Sequence, residues 1–310
     1  MPLKIASARD PHPRQRLRSR RAVVVIAAAC CIVSLPSAHA DSSAHSHIDH
    51  LSFQLIDLDP TDGITPWMQW QQDPNEDGSF KYARLSEGIV TLDQDVSSAA
   101  LPFTPSEVNL NNGYYSAMGG VKGTGAPEGS ALYAEAHLAA QPNGPAYQRS
   151  LETWIQAPYY FTGFSLSPMT ELRVTADIAL DVESKDQAIN FFEKAFAVAS
   201  ITVRLDGGGS LDSQYVDYWK PLPSPWAEQR PYSLSLQDSP VITVRNGGDA
   251  VRLGALSAYV VTSAEITPVP EASTTVSLLA GLSTIAVAAR FSRQRRCKDE
   301  ANGGAKSSYR

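Results

Sequence analysis

The chain has 310 residues and a formal net charge of −6, but residues 41–266 hold 12 basic and 28 acidic residues, a net of −16, while basic residues gather at both ends. A segment that acidic repels polyanions, so no nucleic-acid partner is expected. The three cysteines, Cys30, Cys31 and Cys297, all lie outside 41–266, so that segment has no internal disulfide and must rest on its apolar core.

Residues 1–40 read as a signal peptide. Arg14, Arg16, Arg18, Arg20 and Arg21 form a basic start, and Ala22 to Val33 is a short apolar helix that Pro36 breaks. Ala38 and Ala40 are the small residues that a signal peptidase reads, which makes Asp41 the first mature residue. Residues 41–50, with His45, His47 and His50 among polar neighbours, read as a polar leader.

Residues 51–266 read as one all-β ectodomain, a single antiparallel β-sandwich of jelly-roll type. Strands are expected from Leu51 to Leu58, Ile64 to Trp70, Tyr82 to Leu92, Ala131 to Leu138 and Arg149 to Gln156. Leu172, Val174, Ala176, Ile178, Leu180 and Val182 alternate with period two, the strongest strand signal in the chain. Phe191 to Leu205 fits a helix or a strand, and its strand neighbours favour the strand. Residues 97–130, rich in Pro, Gly, Asn and Ser, are expected to be irregular. Tyr215 to Trp226 is expected to be a surface loop, and 241–261 a closing hairpin turned at Asn246–Asp249.

Several clusters in this segment have candidate chemistry. Asp57, Asp59 and Asp62, with Gly63 to turn the chain, supply the oxygens that a hard cation such as Ca²⁺ needs, although Asp and Gly also favour plain β-turns. Asn75-Glu76-Asp77-Gly78 is a second acidic turn. Trp219 and Trp226, with Tyr215, Tyr218 and Tyr232, are candidate carbohydrate contacts, because aromatic rings pack on sugar faces. His137 shares a strand with Tyr133 and Glu135, and Asp177, Asp181 and Glu183 occupy a polar strand face. Nucleophile-elbow, Walker, Rossmann and zinc-ligand spacings are absent. No catalytic residue is expected, and the protein reads as a non-enzyme.

The C-terminal part carries the most specific pattern. Residues 272–289 are apolar and uncharged, just long enough for a transmembrane helix. Arg290, Arg293, Arg295 and Arg296 follow, which puts the polar tail 297–310 in the cytoplasm. Val269, Pro270 and Glu271 precede the apolar run. Motif, apolar helix and arginine cluster in this order, over 267–296, resemble the PEP-CTERM sorting signal of Gram-negative bacteria. That resemblance implies an exosortase, a membrane protease-transpeptidase, as partner, and a setting beside exopolysaccharide and biofilm machinery. Ala272 stands where the family usually has a second proline, so a processed tail and an intact anchor both stay open. The protein is therefore expected to be exported, either anchored in the inner membrane facing the periplasm or released to the surface. Three roles are open: an exopolysaccharide-associated matrix protein, a carbohydrate-binding or glycan-active protein, and a Ca²⁺-stabilised adhesive domain on an ordinary anchor.

Overall fold

A computed structural model describes residues 41–71, 78–139, 148–185, 191–206, 214–224 and 231–268. The signal, the 72–77 and 225–230 segments, and everything from Val269 onward lie outside them. The described residues are all-β. In chain order the strands are β1 (Asp41–Asp57), β2 (Met68–Gln71), β3 (Ser79–Glu87), β4 (Val90–Ala99), β5 (Ser106–Asn111), β6 (Tyr115–Lys122) and β7 (Ala131–Ala139). There follow β8 (Arg149–Leu166), β9 (Thr170–Ser184), β10 (Phe191–Leu205), β11 (Gln214–Pro223), β12 (Tyr232–Asp238), β13 (Val241–Asn246) and β14 (Arg252–Pro268). Among them no helix is long and apolar enough to cross a membrane; the expected span 272–289 lies outside.

The strands form two antiparallel sheets of seven, packed as a sandwich. The first has the order β12-β9-β1-β7-β6-β5, with β13 also on β9. The second has the order β11-β10-β14-β8-β3-β4, with β2 also on β8. Period-two alternation explains the arrangement: Leu172, Val174, Ile178, Leu180 and Val182 of β9 face inward, as do Ala197, Ala199, Ile201, Val203 and Leu205 of β10, and all are buried. These inner faces merge into one continuous core.

Five expectations need correction. Residues 41–50 are no leader; they are the first part of β1, at the centre of the first sheet and paired with β7 and β9. Their inward residues are Ser42, Ala44, Ser46 and Ile48, so the strand looks polar although that face is buried. Ser42 donates to Lys194 O at 3.0 Å and Ser46 to Val198 O at 2.7 Å, both across to β10 of the opposite sheet. A small hydroxyl that finds a carbonyl there is satisfied without water.

Residues 97–130 contain β5 and β6 rather than irregular chain. Gly119 and Gly120 permit the close fit, since a Cβ on Gly119 would press on Thr153 and Ile155 at 2.7 Å. Tyr215 to Trp226 begins as strand β11, not as a loop. Pro221 and Pro223, which argue against an interior strand, are tolerated because β11 is an edge strand. The closing hairpin does not form: β13 pairs with β9 in one sheet, and β14 lies between β10 and β8 in the other. The connection crosses the sandwich, and buried Asn246 anchors it, donating to Leu166 O, Ser167 O and Ala250 O at 3.2, 2.9 and 2.8 Å. The strand expected over Ile64–Trp70 is ordered as β2 only from Met68.

Side chains stitch the sheet edges together. Along one seam Gln214 of β11 bonds the Arg245 backbone of β13 twice, each at 2.8 Å, and Tyr218 donates to Asp238 of β12 at 2.8 Å. Along the other, Asn109 N of β5 donates to Asp95 of β4 at 2.8 Å, and Tyr115 of β6 donates to Asp93 at 2.9 Å. Asp41 and Pro268 lie at the same end of the sandwich: Phe191 pairs with Pro268, and Ser42 reaches Lys194 three residues further along β10.

Candidate functional site

The outer face of the second sheet has a graded cross-strand pattern. Strand pairing places Phe80, Gln156, Tyr259, Ser200 and Trp219 in one row across β3, β8, β14, β10 and β11. The adjacent row holds Tyr82, Trp154, Val261, Val198 and Pro221. Beyond it comes a charged row with Arg84 and Glu152, an ion pair at 2.9 Å. On the opposite side lies a polar row with Ser257, Thr202 and Asp217, and then Arg204 beside Tyr215. Two rows rich in aromatic and apolar side chains, the first interrupted by Gln156 and Ser200, thus run across five strands.

The aromatic rings form a ladder. Tyr82 and Trp154 stack with centroids 6.2 Å apart and planes at 27°, and Trp154 and Tyr259 at 5.8 Å and 22°. Arg84 covers the Tyr82 ring at 5.3 Å. Burial pushes the Tyr82 hydroxyl well above its ordinary range, and its hydrogen bond to the Glu152 carboxylate adds to the shift. Cross-strand aromatic pairs of this kind stabilise a sheet by about 0.5–1.5 kcal/mol each beyond the area they bury. The ladder is therefore a rigid base.

Its open end is β11. Tyr215, Asp217 and Trp219 alternate onto the outer face, with Tyr215 63% and Trp219 54% exposed. Asp217 Oδ1 accepts from Ser200 at 3.1 Å and from Thr202 at 2.8 Å, two hydroxyls that are themselves buried. Burial raises the Tyr259 hydroxyl, hydrogen bonds with Ser200 and Trp219 oppose that, and the charge of Asp217 adds to it. Trp219 and Tyr259 therefore touch, and the exposed edge is tied to the ladder. The arrangement offers apolar ring surface beside a fixed carboxylate, which is the chemistry of a sugar contact.

The expected site residues fall as follows. Trp219 is part of this face; Trp226 lies outside the described residues, as do Ala38, Ala40, Val269, Pro270, Glu271, Arg290, Arg293, Arg295 and Arg296. Asp57, Asp59 and Asp62 do not converge. Each turns an oxygen to its own backbone: Asp57 to Asp59 N at 2.9 Å, Asp59 to Thr61 N at 3.0 Å and Asp62 to Ile64 N at 2.6 Å. The Thr61 hydroxyl and amide hold the Asp59 carboxyl below its ordinary range. Among the described residues no group of three or more His, Cys, Asp or Glu side chains is placed to hold a metal. His137 sits on the outer face of the first sheet with Nε2 2.6 Å from Asp41 Oδ1, and Asp177 there accepts from His50 and Ser239 at 3.0 and 2.9 Å.

Tyr82, Trp154 and Tyr259 escape a reading of the sequence, because which strands are neighbours is not written in it. One parity signal was available: Trp154 stands in the polar phase of β8 with Ser150, Glu152 and Gln156, where an aromatic is out of place, whereas in β3 the inward phase holds Ser79 and Lys81, so Phe80 and Tyr82 read as the core face. No protein-family model, no curated protein and no solved structure matches the chain.

Proposed function

We propose that the chain is an exported, non-enzymatic surface or matrix protein that binds polysaccharide through the outer face of its second sheet. In this reading an N-terminal signal helix directs export, and residues 267–296 are a PEP-CTERM-like tail for an exosortase-like protease in the membrane. One observation carries the binding role: the aromatic ladder Tyr82–Trp154–Tyr259 that opens onto exposed Trp219 and Tyr215. A sheet needs no exposed indole on an edge strand for its own stability, and large exposed aromatics mark contact surfaces.

Co-sedimentation of the protein with insoluble polysaccharides tests the binding role. Wild type is expected in the pellet and Trp219→Ala in the supernatant; equal partition of the two would remove this face from the account. Mass spectrometry of the exported protein tests the export signal. A mature chain beginning at Asp41 is expected, and a chain still carrying residues 1–40 would sink the export signal.

A further inference from the structure

We propose that Asp217, flanked by Tyr215 and Trp219, is a sugar subsite, and that its ligand is an uncharged polysaccharide with adjacent free hydroxyl groups. This rests on the reading that the face binds polysaccharide, and it names the position and the glycan class. A sugar ring presents an apolar C–H face and a rim of hydroxyls. Tyr215 and Trp219 stand two residues to either side of Asp217 on one strand face, about 7 Å away along the strand. They supply ring surface for the C–H faces of successive sugars, and Asp217 supplies the acceptor between them.

The carboxylate is prepared for that task. Ser200 and Thr202 both donate to Oδ1, which fixes the plane of the group before any ligand arrives. Oδ2 then accepts from one sugar hydroxyl through one lone pair and from a neighbouring hydroxyl through the other, since Oδ1 is filled by Ser200 and Thr202. Hydrogen bonds to an ionised acceptor are about twice as strong as neutral ones.

Charge selects the glycan class. The basic residues on this face are already engaged: Arg84 with Glu152 at 2.9 Å, Lys194 with Glu265 at 3.6 Å and Arg204 with Asp206 at 2.7 Å. Residues 41–266 carry a net charge of −16. A polyuronate or sulfated glycan would meet the Asp217 carboxylate and general repulsion, with each of these cations already beside a carboxylate; a neutral glycan meets neither obstacle.

Affinity electrophoresis of the full chain through native gels containing hydroxyethyl cellulose or alginate tests the inference. Wild type is expected to be retarded by the neutral polymer and to pass the alginate gel unretarded. Asp217→Asn is expected to bind the neutral polymer about tenfold more weakly or worse, the scale of one lost charge-assisted hydrogen bond. Trp219→Ala should lose retardation altogether. If Trp219→Ala loses retardation while Asp217→Asn keeps it, or if alginate retards wild type more strongly, the subsite and glycan class are wrong and the polysaccharide role survives. If neither polymer retards wild type, and co-sedimentation also finds no polysaccharide bound, both fall together.

Discussion

Lys81 illustrates how far a single side chain can depart from what its type suggests. It points into the core from β3, is fully buried, and donates to the Ser79 hydroxyl at 2.5 Å. Burial disfavours its charge and lowers its pKa from 10.5 to about 8. Between pH 8 and about 10.4 the unfolded chain then holds the extra proton, so stability rises with pH across that window; below it the full penalty remains. Lys81→Met keeps the volume and removes the charge. It is expected to raise stability at pH 7 by on the order of 3 kcal/mol, with the gap to wild type closing towards pH 10. Thermal unfolding at both pH values measures this, and a gap independent of pH would show that the buried charge is compensated. Gly254 is the opposite case, where a side chain has no room. A Cβ there would run into the ring of Phe164, which is 1% exposed. Gly254→Ala should cost about 1–3 kcal/mol, read as a lower urea midpoint at unchanged slope.

Among the elements, long strands with apolar alternation were legible in the sequence: β9 and β10 lie where residues 172–182 and 191–205 place them. The first half of β1, residues 41–50, and β11 were not. The inward face of β1 is built from Ser and Ala, whose burial depends on carbonyls offered by β10, and β11 carries prolines that only an edge position tolerates. Both are tertiary conditions that a local pattern cannot carry. The same holds for the site: Trp219 was legible as an aromatic in a turn-rich segment, but Ser200, Thr202 and Tyr259 join it only through pairing with β10 and β14. The seam between β11 and β12/β13 makes its own predictions. Gln214 pairs with the Arg245 backbone as a strand residue would, and so covers part of an edge open to other chains. Gln214→Ala should lower stability by about 1–2 kcal/mol, measured by urea unfolding, and a change near zero would mean that water replaces the amide. Hydrogen bonding from Tyr218, helped by Ser239 N and Lys220, holds the Asp238 carboxyl low. The stabilisation it gives is present above the unfolded carboxylate pKa and is lost as pH falls through the lowered value. Asp238→Asn should therefore be less stable than wild type at pH 7, with the two converging in acid; parallel pH curves would exclude this group from the seam.

At the scale of the whole molecule, the placement of the chain ends bears on use. β14 ends at Pro268, and in the sequence only three residues separate it from the apolar run that starts at Ala272. If that run remains in the bilayer, as the intact-anchor form of the proposal has it, the β14 end of the sandwich is held within three residues of the membrane. The ladder crosses the strands, so a polysaccharide held on it runs across the strand direction. Tyr259 is nine residues before Pro268, which puts the ladder about 30 Å along the strand from the tether. Many such molecules on one membrane would hold glycan within a common reach of their anchors.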